Sequence, residues 1–503
     1  MQRRTFLRTT LATAAATALS SRASIAGFVQ PSASTIADVT AVRGDGGAVT
    51  LSGKAVKDLQ TSLRGRTLLA SSDGYETARQ VLNPSIDKRP ALIVQPTGVE
   101  DVRRVVLFAR EHGLLTAVKC GGHSFSGMST CNGGLMVDLS AMRAVRLDAK
   151  TRRVWASGGT LLGLIDHETA PYELVTTMGT VSHTGVGGLT TGGGFGRLAR
   201  RFALALDNVT AVDVVAADGV LYHASPDENA DLYWGVRGGG GNFGIVTGFE
   251  FQLHPMQREV IGGSLVFPAA KARDLMTFLD DYGPQAPDDL QVDFALVSPP
   301  GGAERTAVLD LCYSGPASGA DAALSAVRKV GTPLKDDVKA MSYVALQRSG
   351  DIADPRSLGS YLKSGFVRAL PKGFIDTALE GFAGDPSRVT VIFTQQSGGA
   401  INRVPPNATA FAHRSAQHNL LVNVGWKTGS DGGPHMDWAR QYWKTLEPFT
   451  TGWYINEIND ESRAAIDANY GQNIARLVAV KNRYDPTNLF RLNANVMPAA
   501  RPA

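Results

Sequence analysis

Three glycine-dense stretches constrain this chain most: Gly121–Gly127, Gly179–Gly196 and Gly238–Gly244. Glycine allows positive φ and lets another group approach the backbone closely, so clustered glycines suit loops that cradle a ligand. The first cluster has informative surroundings. Ala91-Leu92-Ile93-Val94 is a short apolar run suited to a buried strand. Thr97-x-x-Glu100 reads as a capping box, and Val102, Val105, Val106 and Ala109 repeat at helical spacing. Gly113 fits the helix end, and Leu115–Lys119 returns as a strand. This βαβ unit runs straight into Cys120-Gly121-Gly122-His123-Ser124, where backbone N–H groups, Lys119 and Ser124 offer donors for a pyrophosphate. No G-x-G-x-x-G follows a first strand with an acid about 20 residues on, and no Walker A sequence occurs, which disfavours nicotinamide and ATP sites. His123 by itself has two readings, a turn residue or a chemically active imidazole.

Charge narrows the partners. The formal net charge is +4, and Arg3, Arg4, Arg8 and Arg22, within an acid-free first 26 residues, account for all of it. The neutral remainder makes no electrostatic case for nucleic acid, so small molecules are the expected partners. Three cysteines, Cys120, Cys131 and Cys312, form neither a disulfide framework nor a metal-ligand spacing, and no metal is expected.

Arg3-Arg4 with Phe6-Leu7, the apolar stretch Leu11–Leu19 and Ser24-Ile25-Ala26 form a twin-arginine-type signal over residues 1–26. The expected location is therefore periplasmic or secreted. That apolar stretch falls well short of the ~20 residues that span a bilayer, so no stable membrane anchor is expected. Further on, Val209–Val215 and Gly219–His223 read as a hairpin around Asp218-Gly219. After Pro255, strands such as Val292–Val297 and Ala307–Tyr313 alternate with amphipathic segments such as Ala270–Tyr282, the texture of a second α+β domain. Tyr470–Phe490 has helical spacing and stops before Asp485-Pro486.

Four separated stretches resemble the berberine bridge enzyme-like family of the vanillyl-alcohol-oxidase (PCMH-type) flavoprotein superfamily. They are Arg89–Pro96 with Lys119–Gly127; Gly185–Gly188 with Gly192–Gly196; Asp231–Trp234 through Arg237–Gly244; and Tyr484–Phe490. The resemblance implies an α+β fold: a PCMH-type FAD domain of two subdomains, with an inserted α+β substrate domain whose antiparallel sheet is covered by helices. The implied boundaries are a lead-in at 27–85, the FAD domain at 86–258, the substrate domain at 259–452 and a completing C-terminal segment at 453–503.

By the same resemblance, His123 matches the histidine that bonds the flavin 8-methyl carbon. Val181 stands where many members carry a second, cysteinyl link, so attachment of FAD through His123 only is expected. Implied cofactor contacts are Lys119, Cys120, Gly121, Gly122, Ser124 and Gly127 in the first loop. The second stretch adds Gly179, Thr180, Val181, Thr184, Gly185, Gly187, Gly188, Gly193 and Gly194, and later positions are Gly244, Val246, Asn493 and Asn495. Thr184 holds the place that lies over the flavin and influences oxygen access. Phe125 replaces a tyrosine common in sugar-oxidising relatives.

The segment Tyr454-Ile455-Asn456-Glu457 keeps the first tyrosine of the family's Tyr-x-Asn-Tyr and puts Glu457 at the second. Tyr454 and Glu457 are the catalytic candidates. Tyr454 is alternatively a packed aromatic, and Glu457 a surface acid of the run 457–461. The implied function is oxidation of a small alcohol or sugar, cyclic amine or phenolic compound, with hydride passing to flavin N5 and oxygen as acceptor, giving hydrogen peroxide. The alternatives are a dehydrogenase with another acceptor and a flavin-binding protein without catalysis.

Overall fold

The computed structural model describes residues 36–352 and 356–499. The expected signal over residues 1–26 lies outside them. The βαβ unit forms with strands Leu92–Gln95 and Thr116–Lys119 around helix Val99–Glu111. Leu135–Asp138 inserts between the two strands, parallel to both, and Arg66–Leu68 adds an antiparallel edge. The capping box does not form. Asp101, not Glu100, accepts from Thr97, and it also takes the N–H groups of Arg64 and Gly65. Those backbone donors have no other partner nearby, so the buried carboxylate is worth more there than at an exposed cap.

A second sheet, wholly antiparallel, runs Leu221–Ala224, Val209–Ala216, Gly244–Gln252, Arg153–Ser157, Val145–Asp148. Its first two strands are the expected hairpin, and Gly219 takes the positive φ (76°) that the turn needs. The last part of the chain returns to this sheet. The helical spacing of Tyr470–Phe490 is borne out by the helix Ile474–Tyr484, which stops before Asp485-Pro486, and a separate helix, Arg463–Tyr470, precedes it across Gly471 at φ 52°. Tyr470, Leu477, Val480 and Tyr484 then share a core with Val212, Val214 and Phe249.

Residues 259–427 build an antiparallel sheet of eight strands. Alternation explains its placement. Leu290, Val292, Phe294 and Leu296 point to one face and pack on the helices Ala272–Tyr282, Ala320–Arg328, Lys372–Gly381 and Gly433–Leu446. Gln291 and Asp293 point the other way, toward the N-terminal lobe, where Arg197 pairs with Asp310 on the adjoining strand. Arg200 is buried there and donates to the carbonyls of Leu290, Ser397 and Ala286, tying the two lobes together without a carboxylate. The chain thus has the α+β architecture expected of it. No described helix is long and apolar enough to cross a membrane.

Candidate active site

A cavity of about 420 Å³ opens where the loops of the first lobe meet the inserted sheet and the C-terminal segment. Its position follows from close backbone packing. A Cβ on Gly121 would lie 2.4 Å from the Gly185 nitrogen, and one on Gly185 would lie 2.4 Å from the Cys120 sulfur. Only glycine lets these two loops touch, and their contact presents His123 beside Thr184.

His123 Nε2 lies 2.7 Å from His183 Nδ1, and His123 Nδ1 lies 3.3 Å from the Thr184 hydroxyl. Burial, reinforced by His183, pulls the His123 pKa down to about 4. At neutral pH the imidazole is uncharged, the form in which a ring nitrogen has a lone pair to use.

Across the cavity, Tyr454 is buried and its hydroxyl accepts from the Gly194 N–H at 2.7 Å and from Asn456 Nδ2 at 2.8 Å. Burial raises its pKa, so the phenol keeps its proton. Glu457 lines the same cavity, and Asn419 Nδ2 approaches both its carboxyl oxygens at 3.2 and 3.4 Å. Burial lifts the Glu457 pKa to about 7, outweighing what the Asn419 amide does to lower it. Of the two readings of Glu457, the cavity lining agrees with the one that faces the site.

Most of the expected cofactor residues converge here. Cys120, Gly121, Gly122, His123 and Ser124 line the cavity, as do Gly179, Thr180, Val181, Thr184, Gly185, Gly187 and Gly188 on the opposite loop. Gly244, Val246 and Asn493 complete that group. Five others do not line it. Lys119 turns away to the Ala78 carbonyl and Asp138. Gly127 packs on Ile86, Gly193 on the Tyr454 ring and Gly194 on Ala205, while the Asn495 amide turns to Met497. Lys119 is a long cation at a strand end, and a buried carboxylate beside it outcompetes the cavity. Gly193 and Gly194 act through Tyr454, which they seat.

Sequence reasoning missed Asn456, which ties Tyr454 to the Leu189 carbonyl, and Asn419 and Gln395, partners across neighbouring strands of the inserted sheet. Asn456 sat inside a segment already singled out. Asn419 and Gln395 belong to no motif, and only strand register brings them to one place.

The cavity suits a large ligand with polar parts. A Cβ on Gly188 or Gly241 would meet nothing within 4 Å, so bare backbone faces the space. Ser129 Oγ and Asn493 Oδ1 are buried there without a hydrogen-bond partner. Buried polar atoms without partners cost about 1–3 kcal/mol each, which a bound polar group would offset. The three cysteines are free: Cys131 and Cys312 are buried, and burial pushes the thiol of Cys120, which lines the cavity, up to about 11. No cluster able to hold a metal occurs among the described residues.

Comparison with known proteins agrees with this geometry. Residues 90–225 match an FAD-binding domain family, and residues 453–497 match the berberine and berberine-like family. An FAD-linked oxidoreductase of Dictyostelium discoideum is 30% identical over 88% of this chain and 97% of its own. The (R)-6-hydroxynicotine oxidase of Paenarthrobacter nicotinovorans is 28% identical over 87% of this chain and 97% of its own. Among solved structures, 6-hydroxy-D-nicotine oxidase from Arthrobacter nicotinovorans superposes with a TM-score of 0.80 at 26% identity, covering 87% of this chain and 99% of that one. Xylooligosaccharide oxidase from Myceliophthora thermophila gives 0.80 at 27% identity, covering 89% and 100%. With FAD as cofactor and a cavity built from both matched segments, this chain belongs to the berberine bridge enzyme-like family of FAD-linked oxidoreductases.

Proposed function

We propose that the enzyme is an exported oxidase in which His123 alone carries FAD covalently and Glu457 takes the proton released by a small organic substrate. The observation that carries this reading is the cavity wall itself. It sets a neutral imidazole (pKa about 4) opposite a carboxyl held near 7.

Glu457 is suited to proton removal because a general base works best when its pKa is near the working pH. Its ionised form is oriented by Asn419. Both acceptor positions of the Tyr454 oxygen are taken by Gly194 and Asn456, so what remains to Tyr454 is its O–H, a donor for a substrate heteroatom. Phe125 and Ile352 narrow the cavity with apolar surface and help exclude water. When bound, FAD supplies two-electron acceptance at its N5, and oxygen is the acceptor we assign for its reoxidation. Val181 lines the cavity and has no sulfur to form a second link. The lining favours a cyclic amine or phenolic compound over a sugar, since Phe125 offers no hydroxyl.

The reading is tested by acid precipitation. Flavin colour and fluorescence should stay with the wild-type pellet, and nearly all of it should wash out of a His123→Ala variant. Flavin in the wild-type supernatant would reject the covalent link. Substrates that bleach the flavin should consume oxygen and release hydrogen peroxide in equal amounts; bleaching without oxygen uptake would point to another acceptor. Export is tested separately, since replacing Arg3 and Arg4 by lysine should leave the protein in the cytoplasm.

A further inference from the structure

The loop 179–184 supplies Thr180, Val181 and Thr184 to the cavity but has no regular secondary structure. Within its own lobe its backbone makes few bonds, Gly163 N–H to Ser182 O, Leu162 N–H to Thr184 O and Thr184 N–H to Val181 O, and its His183 and Thr184 side chains meet His123. Further support comes from the inserted lobe, from one short segment that begins in the last turn of helix Tyr343–Arg348 and runs on to Ile352. Buried Gln347 donates from Nε2 to the Gly179 carbonyl at 2.6 Å. Gly350 lies so close that a Cβ there would sit 2.1 Å from the Thr180 carbonyl oxygen. Asp351 accepts from both the Ser182 N–H, at 2.7 Å, and the Ser182 hydroxyl, at 2.6 Å. The Ile352 N–H donates to His183 Nε2 at 3.4 Å.

The two segments are thus matched in order, 347, 350, 351 and 352 against 179, 180, 182 and 183. The last contact has a direction. A backbone N–H only donates, so His183 Nε2 accepts and carries no proton. The His183 proton then sits on Nδ1 and donates to His123 Nε2. That leaves the His123 proton on Nδ1, facing Thr184 Oγ1, so a bond from Nδ1 to FAD requires this proton to leave the ring while Nε2 stays held by His183. One backbone amide of the inserted lobe sets the orientation of two imidazoles, the second being the one assigned to the cofactor. The Asp351 charge also acts on His123, opposing the downward pull of burial.

We infer that residues 347–352 form a strap by which the inserted lobe orients His123 and the cavity-lining loop, with Asp351 as its positioning residue. Asp351 holds Ser182 by two charge-assisted hydrogen bonds, and the chain direction this imposes brings the Ile352 N–H to His183. The inference rests on the reading of His123 as the residue that carries FAD. It adds a coupling between the lobe that holds substrate and the imidazole that holds cofactor.

The test compares Asp351→Ala, Asp351→Asn, Ser182→Ala and the double variant Asp351→Ala/Ser182→Ala in the full-length holoprotein. Readouts are the visible spectrum of bound flavin, the fraction of flavin retained in an acid pellet, kcat against KM, and Tm. Asp351→Ala should shift the flavin spectrum and lower pellet retention severalfold, with kcat falling more than KM changes. Ser182→Ala should reproduce these shifts, and the double variant should add little, because both remove one contact. Asp351→Asn, which still accepts a hydrogen bond, should restore much of the wild-type behaviour. A lower Tm with unchanged spectrum, retention and kcat would overturn the strap. If Asp351→Ala does not fold, Ser182→Ala decides by the same readouts. If the wild-type pellet holds no flavin, covalent attachment is what fails, and the spectrum of bound flavin across the variants still supports or overturns the strap.

Discussion

Glu457→Gln should lower kcat by about 10²–10⁴-fold while leaving FAD bound, because general-base catalysis contributes on that order. The substitution preserves shape and the contact with Asn419 but cannot take a proton. Wild-type kcat/KM should rise with pH through a single ionisation near 7, since burial holds the Glu457 carboxyl at about that value and only the ionised form is a base. The glutamine variant should lose that limb. Stability should move in the opposite sense. A carboxyl whose folded pKa exceeds its unfolded value binds more protons when folded, so its contribution is complete at low pH and is lost as pH rises through about 7. Glu457→Gln should therefore raise Tm above pH 7 while removing activity. Asp166 and Asp293 are also pushed up to about 7 by burial and destabilise the fold in the same window, but neither lines the cavity. The activity limb therefore separates Glu457 from them. A residual activity within threefold of wild type, or an unchanged pH limb, would remove Glu457 from the role of base.

Glu457, Asp460 and Glu461 sit within five positions, and composition treats them alike. In the structure they part company. Asp460 and Glu461 share Lys363, with Arg440 also on Asp460, while Glu457 turns into the cavity. The difference comes from a short 3₁₀ turn at Ile455–Glu457 and from strands far away in sequence. The His123 loop was legible for the opposite reason. A strand, a helix, a strand and a glycine turn follow one another within about forty residues, and local spacing reports them directly. Glycines were legible as glycines but not by purpose. Gly188 and Gly241 leave room for a ligand, Gly121 and Gly185 let two loops touch, and Gly193 and Gly194 seat the Tyr454 ring. The inserted sheet was read correctly as alternating strands. Its contribution of Gln395, Asn419 and the 347–352 segment depended on register and docking, which no local pattern encodes.

Asp485→Ala should be the most destabilising single change near the site, by about 3–5 kcal/mol, the cost of leaving a buried charge without its partner. Lys481 and Asp485 are both fully buried and 2.8 Å apart. Lys481 Nζ also donates to the carbonyls of Asn242 and Phe490, and Asp485 also accepts from the N–H groups of Leu489 and Phe490. The aspartate thus closes the turn 485–490 and neutralises the lysine at once. Burial already pulls Lys481 down to about 8, so the ammonium depends on this partner. Lys481→Met should cost less, because Asp485 keeps its two backbone donors, whereas Asp485→Ala strands a cation and two N–H groups together. The effect should reach the cofactor: Phe490, Leu492 and Asn493 follow that turn and line the cavity. Thermal unfolding should show Tm falling by several degrees or more in Asp485→Ala, less in Lys481→Met. In Asp485→Ala, more of the flavin should be accessible to solvent quenchers before unfolding begins. Equal losses in the two variants would show that the pair contributes through packing alone, and that closure of the turn by Asp485 is not what fixes this wall of the site.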